Sequence, residues 1–201
     1  MKIEAVTVCI NYSDVFAQCI GNKKYLDRWV VVTHETDQDT IKLCQSNNIE
    51  VVLSNEIYKN SSQFAKGRAI NEGLHKLEKT DWLLHIDSDV KLPRNFKSIL
   101  RDNVKDINCL YGSCRYHKNG KVNIEVDNEN NAYDHIKSEL AIGFFQLWHS
   151  SKFKDYPQNS DDAKWDDLEH SDRFKKKIFL PLFLLDIDNE HNKNHHGRIN
   201  N

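Results

Sequence analysis

The sequence shows no excess charge of one sign. Lysine and arginine number 28 against 30 aspartates and glutamates, for a formal net charge of -2. That balance gives no general pull toward nucleic acid or an anionic membrane. The basic run RFKKK (173–177) is short and reads as a solvated helix end. No apolar stretch is long enough to span a bilayer. The N-terminus, MKIEAVTVCINYSD, carries an acid within its apolar run and no small-residue cleavage site, so it reads as a first strand and not a signal peptide. Paired cysteines are missing too. The five cysteines are odd in number and irregularly spaced, which points to reduced thiols and a cytoplasmic setting. Cys109 and Cys114 lie close in sequence but lack the two further ligands that a zinc site needs. There is no repeat and no linker that would split the chain.

What is present fits one α/β domain over residues 1–201. Its 39% hydrophobic and 29% charged residues are the profile of a soluble globular chain with a real core. EAVTVCI (4–10), WVVVT (29–33), EVVLS (50–54) and WLLHI (82–86) are short, nearly continuous apolar runs. Such runs suit parallel strands covered on both faces. Helical spacing fills the gaps, in DQDTIKLCQSNN (37–48) and in SQFAKGRAINEGLHKL (62–77), where Ser61 or Ser62 is placed to cap. Pro93 fits the first turn of a further helix over 91–100. Right-handed crossovers then give an open, mostly parallel sheet with its ligand site at the carboxyl ends of the strands. The C-terminal half adds antiparallel character. Asn119-Gly120 signals a hairpin, and LAIGFFQLWHS (140–150) and IFLPLFLLDI (178–187) read as strands, Pro181 marking an edge or a bulge. The division expected is a first half over about 1–105, a second over about 106–188 and a polar, His-rich tail over 189–201.

The chemistry-bearing residues gather at the predicted ligand edge. WLLHIDSDV (82–90) ends its strand in Asp87 and Asp89. If strand geometry persists past Ile86, His85, Asp87 and Asp89 share one face. Two carboxylates this close repel unless something positive lies between them. A hard cation carrying phosphate oxygens is one solution, and an Asx-type turn leading to Pro93 is the other. AKGRAINEGL (65–74) places Lys66 and Arg68 at a helix start, where basic side chains oppose the dipole and hint at an anionic partner. Asn71 follows one turn after Gly67 on the same face. Asn11, Tyr12 and Ser13 end the first strand at the same edge. The acidic stretch holding Asp161, Asp162, Asp166, Asp167, Glu169 and Asp172 is mostly solvated surface, with room for one general base. His191, His195 and His196 cluster near Arg198 in the tail, as a metal or phosphate clamp or as a frayed terminus.

The succession AVTVCINYSD, RWVVVTHETD, QFAKGRAINEGL, WLLHIDSDVKLP, CLYG, GFFQLWH and NHHGR resembles the nucleotide-sugar-dependent glycosyltransferases of the GT-A fold. Small bacterial and phage members related to glycosyltransferase family 2 are the nearest in kind. The similarity runs from about Ala5 to Arg198. It implies transfer of a sugar from a nucleoside-diphosphate donor, in the first place a UDP-sugar. The acceptor would be a hydroxyl on a glycan, a small molecule or a modified nucleic-acid base. It places the nucleotide at Asn11, Tyr12, Ser13 and Glu35, with Lys66, Arg68 and Asn71 beside it and Arg198 on the diphosphate. Asp87 and Asp89 would hold Mn²⁺ or Mg²⁺. The third metal ligand falls to Asp186, Asp188 or a tail histidine such as His195. Gly143 to Gln146 match the strand beneath the acceptor, and Asp167 matches the base of inverting members. Leu185-Asp186-Ile187-Asp188 and Asn194-His195-His196 depart from the family's usual residues there. A nucleotidyltransferase using Mg-NTP and a non-catalytic nucleotide- or glycan-binding module are the competing readings.

Overall fold

The computed structural model describes residues 1–58, 64–117, 143–158 and 163–187. The four predicted strands are present as β1 (Ile3–Val8), β2 (Arg28–Thr33), β3 (Glu50–Leu53) and β4 (Trp82–Ile86). They pair in parallel in the order β3-β2-β1-β4. Every residue of β1 and β4 is buried, which is why their sequences run apolar without alternation. Helices cover both faces: the single turn α1 (Ser13–Phe16), then α2 (Gln38–Ser46), α3 (Lys66–Lys76), α4 (Phe96–Asn103) and α5 (Ala163–Asp172). Ile3 and Ala5 of β1 face a core shared with Phe96 and Leu100 of α4. Val6 and Val8 face the opposite core with Ala69, Ile70 and Leu74 of α3. At Gly73 a Cβ would overlap Val6 and Val32, so the glycine lets α3 lie flush on the sheet.

The second half extends the sheet and curls it. β7 (Phe145–His149) runs antiparallel to β4 and to β6 (Leu110–His117), while β8 (Lys177–Asp186) runs parallel to β6. The two-residue β5 (Val90–Lys91) follows β4 in the chain but pairs antiparallel with β8 at the far edge of the eight-stranded order. Val90 faces Asp186, and Ile187 N donates to Asp89 O at 2.9 Å. The last described strand therefore ends beside the Asp-Ser-Asp segment. The mixed α/β architecture matches expectation, antiparallel additions included. Pro181 falls where three residues of β8, 180–182, oppose the single Ser113 of β6, between the pairs Gly112↔Phe179 and Cys114↔Phe183. Lacking an N–H, it fits this irregularity.

Two helix starts differ from expectation. α3 begins at Lys66 and not at 62, because Ala65 N is tied to Ile57 O at 2.9 Å, which holds Ala65 to the preceding loop. α4 begins at Phe96, three residues beyond Pro93. Leu92 N is bonded to Asn22 Oδ1 at 2.9 Å, and Pro93 O accepts from Phe96 N as a turn acceptor. The Ser61/Ser62 cap and the Asn119-Gly120 hairpin lie outside the described residues. All five cysteines are free thiols. No described helix is long and apolar enough to cross a membrane.

Asn22 was not marked out by the sequence, yet it is buried and clamps the chain after β4. Its Nδ2 donates to Val90 O at 2.8 Å, and its Oδ1 accepts from Leu92 N. Asn22→Ala should strand both backbone groups and destabilise the fold by about 2–4 kcal/mol, measured by urea denaturation. A change under roughly 0.5 kcal/mol would show that water replaces the clamp.

Candidate active site

The Asp-Ser-Asp segment is a turn at the carboxyl edge of the sheet, one of the two readings expected of it. β4 stops at Ile86, and Val90 N closes the turn onto Asp87 O at 3.3 Å. Strand geometry therefore does not persist to Asp89, contrary to the expected shared face. Asp87 remains on the side of His85, whose Nε2 lies 3.6 Å from Asp87 Oδ1. Asp89 lies toward the end of β8, where it and Asp186 both act on the buried Cys19 thiol. Burial pushes that thiol up to about 12, and the two carboxylates add to the effect. Cys19 is thus an inert neighbour and not a nucleophile.

Lys66, the first residue of α3, joins Asp87 to the far end of the chain. Its Nζ lies 2.8 Å from Asp87 Oδ1 and 3.7 Å from Asp167 Oδ2. Burial opposes the ammonium, but Asp167 and Asp87 outweigh it and hold it well above its ordinary value. The helix start itself meets an internal anion: Gly67 N donates to Asp166 Oδ2 at 3.0 Å. The anionic partner hinted at by basic residues at a helix start is thus, first of all, the protein's own carboxylates. Glycine is required here, because a Cβ on Gly67 would stand 2.5 Å from Asp166 Oδ2. Gly143 plays the same part for the neighbouring acid, since its Cβ would fall on the Asp167 carboxylate. Burial pushes the Asp167 carboxyl up to about 6, against the pull of Lys66 and helped by Asp87. Burial likewise lifts Asp166 to about 6, opposed by the Gly67 N–H. Asp167 Oδ1 and Asp166 Oδ1 are buried and have no hydrogen-bond partner among the described residues.

The remaining predicted residues divide into two groups. Asn11 adopts a positive φ of 55°, tolerable for asparagine. Its N–H donates to Asp37 Oδ2 at 2.7 Å. Asp37 also accepts from Thr33 Oγ1 and caps α2 through Thr40 N. Asp37 thus fixes the loops after β1 and β2, and its signal in the sequence was that of an ordinary N-cap. Ser13 opens α1 at this edge, and Glu35 is exposed, its carbonyl held by Gln38 Nε2. Tyr12 is buried in the core, only 4% exposed. Arg68 faces a groove of about 730 Å³ along the open edge of β3, together with Glu56, Glu72 and Asp155. The Asn71 amide is engaged with Tyr156, accepting from its N–H at 2.6 Å and donating to its carbonyl at 3.0 Å. His195 and Arg198, like Asp188, lie outside the described residues.

The mixed eight-stranded sheet and its flanking helices match a GT-A-like fold. Among solved structures, mannosyl-3-phosphoglycerate synthase from Rubrobacter xylanophilus aligns with a TM-score of 0.63 at 15% identity, over 96% of this chain and 68% of that one. Glucosyl-3-phosphoglycerate synthase from Mycobacterium tuberculosis, in complex with Mn²⁺, UDP and glucosyl-3-phosphoglycerate, aligns at 0.62 and 14% identity, over 94% and 72%. Its UDP complex gives 0.63 and 14%, over 96% and 73%. At such identity the likeness is one of fold. No family model and no curated protein matches the sequence.

The raised carboxyls fix the sign of a pH effect on stability. A folded value of about 6 against an ordinary 3.8 means that the native state holds these protons more tightly. Their contribution is complete below about pH 4 and is lost as pH rises through about 6. Asp167→Asn should therefore flatten the fall of the urea midpoint between pH 4 and 7. An unchanged slope would show that Asp167 is ionised at little expense.

Proposed function

We propose that the protein is a metal-dependent glycosyltransferase that moves a sugar from a nucleoside-diphosphate donor, in the first place a UDP-sugar, to an acceptor hydroxyl with inversion. The observation that carries this reading is the meeting of Asp87, Lys66 and Asp167, with Asp167 Oδ1 taking no hydrogen bond from the described residues. A general base needs a carboxylate that is ionised near neutral pH yet basic enough to take a hydroxyl proton. A carboxyl pushed up to about 6 meets both needs. In the proposed step Asp167 takes the acceptor's proton as the acceptor oxygen bonds to the anomeric carbon. The bond from that carbon to the diphosphate breaks, and the nucleoside diphosphate departs with the electron pair. Lys66 would offset charge on the diphosphate side, and Arg198 and His195 are assigned the same task from the tail.

The donor set fits a hard divalent cation. Asp87 and Asp89 offer carboxylate oxygens at the turn, and strand pairing carries Asp186 beside Asp89. Among the described residues the Lys66 ammonium meets both Asp87 and Asp167, so these carboxylates outnumber it. Among the described residues no three such side chains form a ready cation site, and phosphate oxygens of the donor would complete the shell. Asp87 and Asp89, with Asp186, Asp188 or His195, would hold Mn²⁺ or Mg²⁺, which when bound stabilises negative charge on the leaving diphosphate. The two synthases whose folds align here support the donor class, one of them having been solved with Mn²⁺ and UDP.

A panel of nucleotide sugars, assayed for nucleoside-diphosphate release, tests the reading. Pyrophosphate release from an NTP would favour a nucleotidyltransferase instead. Asp167→Asn should lower kcat by about 10²–10⁴-fold while leaving UDP affinity intact. Activity of the unaltered protein should fall as pH drops through about 6. Asp87→Ala should abolish the Mn²⁺-dependent part of UDP binding in calorimetry. Equal metal dependence in that variant would remove Asp87 from the cation site.

A further inference from the structure

Tyr156 lies on a loop between β7 and α5, buried, and outside every motif of the sequence. Its backbone is locked by the two bonds to the Asn71 amide. Its hydroxyl donates to Gln146 Oε1, and Gln146 Nε2 donates to the Asp167 carbonyl at 2.9 Å. On the other side the hydroxyl meets His85 Nδ1 at 3.3 Å. A phenol has one proton, and here it goes to Gln146. The oxygen must then accept from His85, so the imidazole carries its proton on Nδ1. His85 Nε2 is buried 3.6 Å from Asp87 Oδ1 and has no hydrogen-bond partner among the described residues. The ring of Tyr156 stacks on His170 at 4.0 Å and 5° between planes. His170 is one helical turn beyond Asp167 in α5, on the same face.

We propose that Tyr156 is a positioning residue that ties together the two elements bearing the acids of the site, through His85 to the end of β4 that carries Asp87 and through Gln146 and His170 to Asp167 in α5. The inference rests on Asp167 as the base. Each donor in the chain His85 → Tyr156 → Gln146 → Asp167 carbonyl is oriented by the next, so the first turns of α5 are fixed relative to the end of β4. Gly67 and Gly143 leave room for the Asp166 and Asp167 carboxylates of α5, and Tyr156 sets where α5 stops. The hydroxyl is buried and taken up by Gln146 and His85. Its loss should therefore misplace the base and leave donor binding intact.

Tyr156→Phe keeps the stacked ring and removes one oxygen. Assayed beside the unaltered protein, it should lose about tenfold to a hundredfold in kcat, with donor KM within about threefold. Gln146→Met should lose a similar amount. The double variant should lose no more than the worse single one, because both cut the same chain. In the ligand-free protein, ¹⁵N NMR should show the His85 proton on Nδ1, moving toward Nε2 in Tyr156→Phe. Wild-type kcat in Tyr156→Phe, with Asp167→Asn inactive, would overturn the positioning role and leave the base standing. Normal turnover in Asp167→Asn would overturn the base, and the positioning role with it. Fully additive losses from Tyr156→Phe and Gln146→Met, or a His85 proton on Nε2 in the unaltered protein, would also overturn the proposal.

Discussion

Lys66 brings one positive charge to 2.8 Å from Asp87 and 3.7 Å from Asp167, in a place from which water is largely withdrawn. A buried ammonium is tolerated only where carboxylates meet it, and buried carboxylates only where a cation or N–H groups do. The arrangement therefore holds three stretches to each other: the start of α3, the end of β4 and the first turns of α5. Asp166 extends it by accepting the Gly67 N–H at the start of α3. Glycines at 67 and 143 stand where any side chain would collide with these acids. Among the described residues the Lys66 ammonium meets two carboxylates, those of Asp87 and Asp167.

The curl of the sheet is the second constraint. β5 leaves β4 after a three-residue turn and yet pairs with β8, so the turn is bounded by the first and last thirds of the chain. Asn22 fixes one side through Val90 and Leu92, and the bond from Ile187 N to Asp89 O fixes the other. The turn separates Asp87, which goes to Lys66 and His85, from Asp89, which goes toward Asp186.

The parallel strands were legible because burial on both faces writes itself into continuous apolar runs, as in WLLHI, whose bounds match β4 residue for residue. Pro181 was legible for a local reason, the missing N–H. Helix starts were less so. A capping serine and a proline are local signals, but the start of α3 depends on Ala65 bonding to Ile57, and that of α4 on Asn22, some seventy residues away in sequence. Asp87, Lys66 and Asp167 were each marked as candidates, but nothing in the sequence showed them in contact. Tyr156 and Gln146 carried no signal of a shared hydrogen bond at all.

The sequence by itself determined the parallel half of the sheet, its order of elements and the acidic turn at its carboxyl edge. These follow from periodicity and burial, which act over a few residues. Tertiary structure alone decided which acid meets which base, because a buried charge is settled by whatever the fold brings within a few ångströms. It also decided that Asn71 serves the backbone of Tyr156, that Tyr12 belongs to the core, and that the anion at the start of α3 is Asp166. Side chains near a hundred residues apart, such as Lys66 and Asp167, became neighbours only when α5 packed across α3.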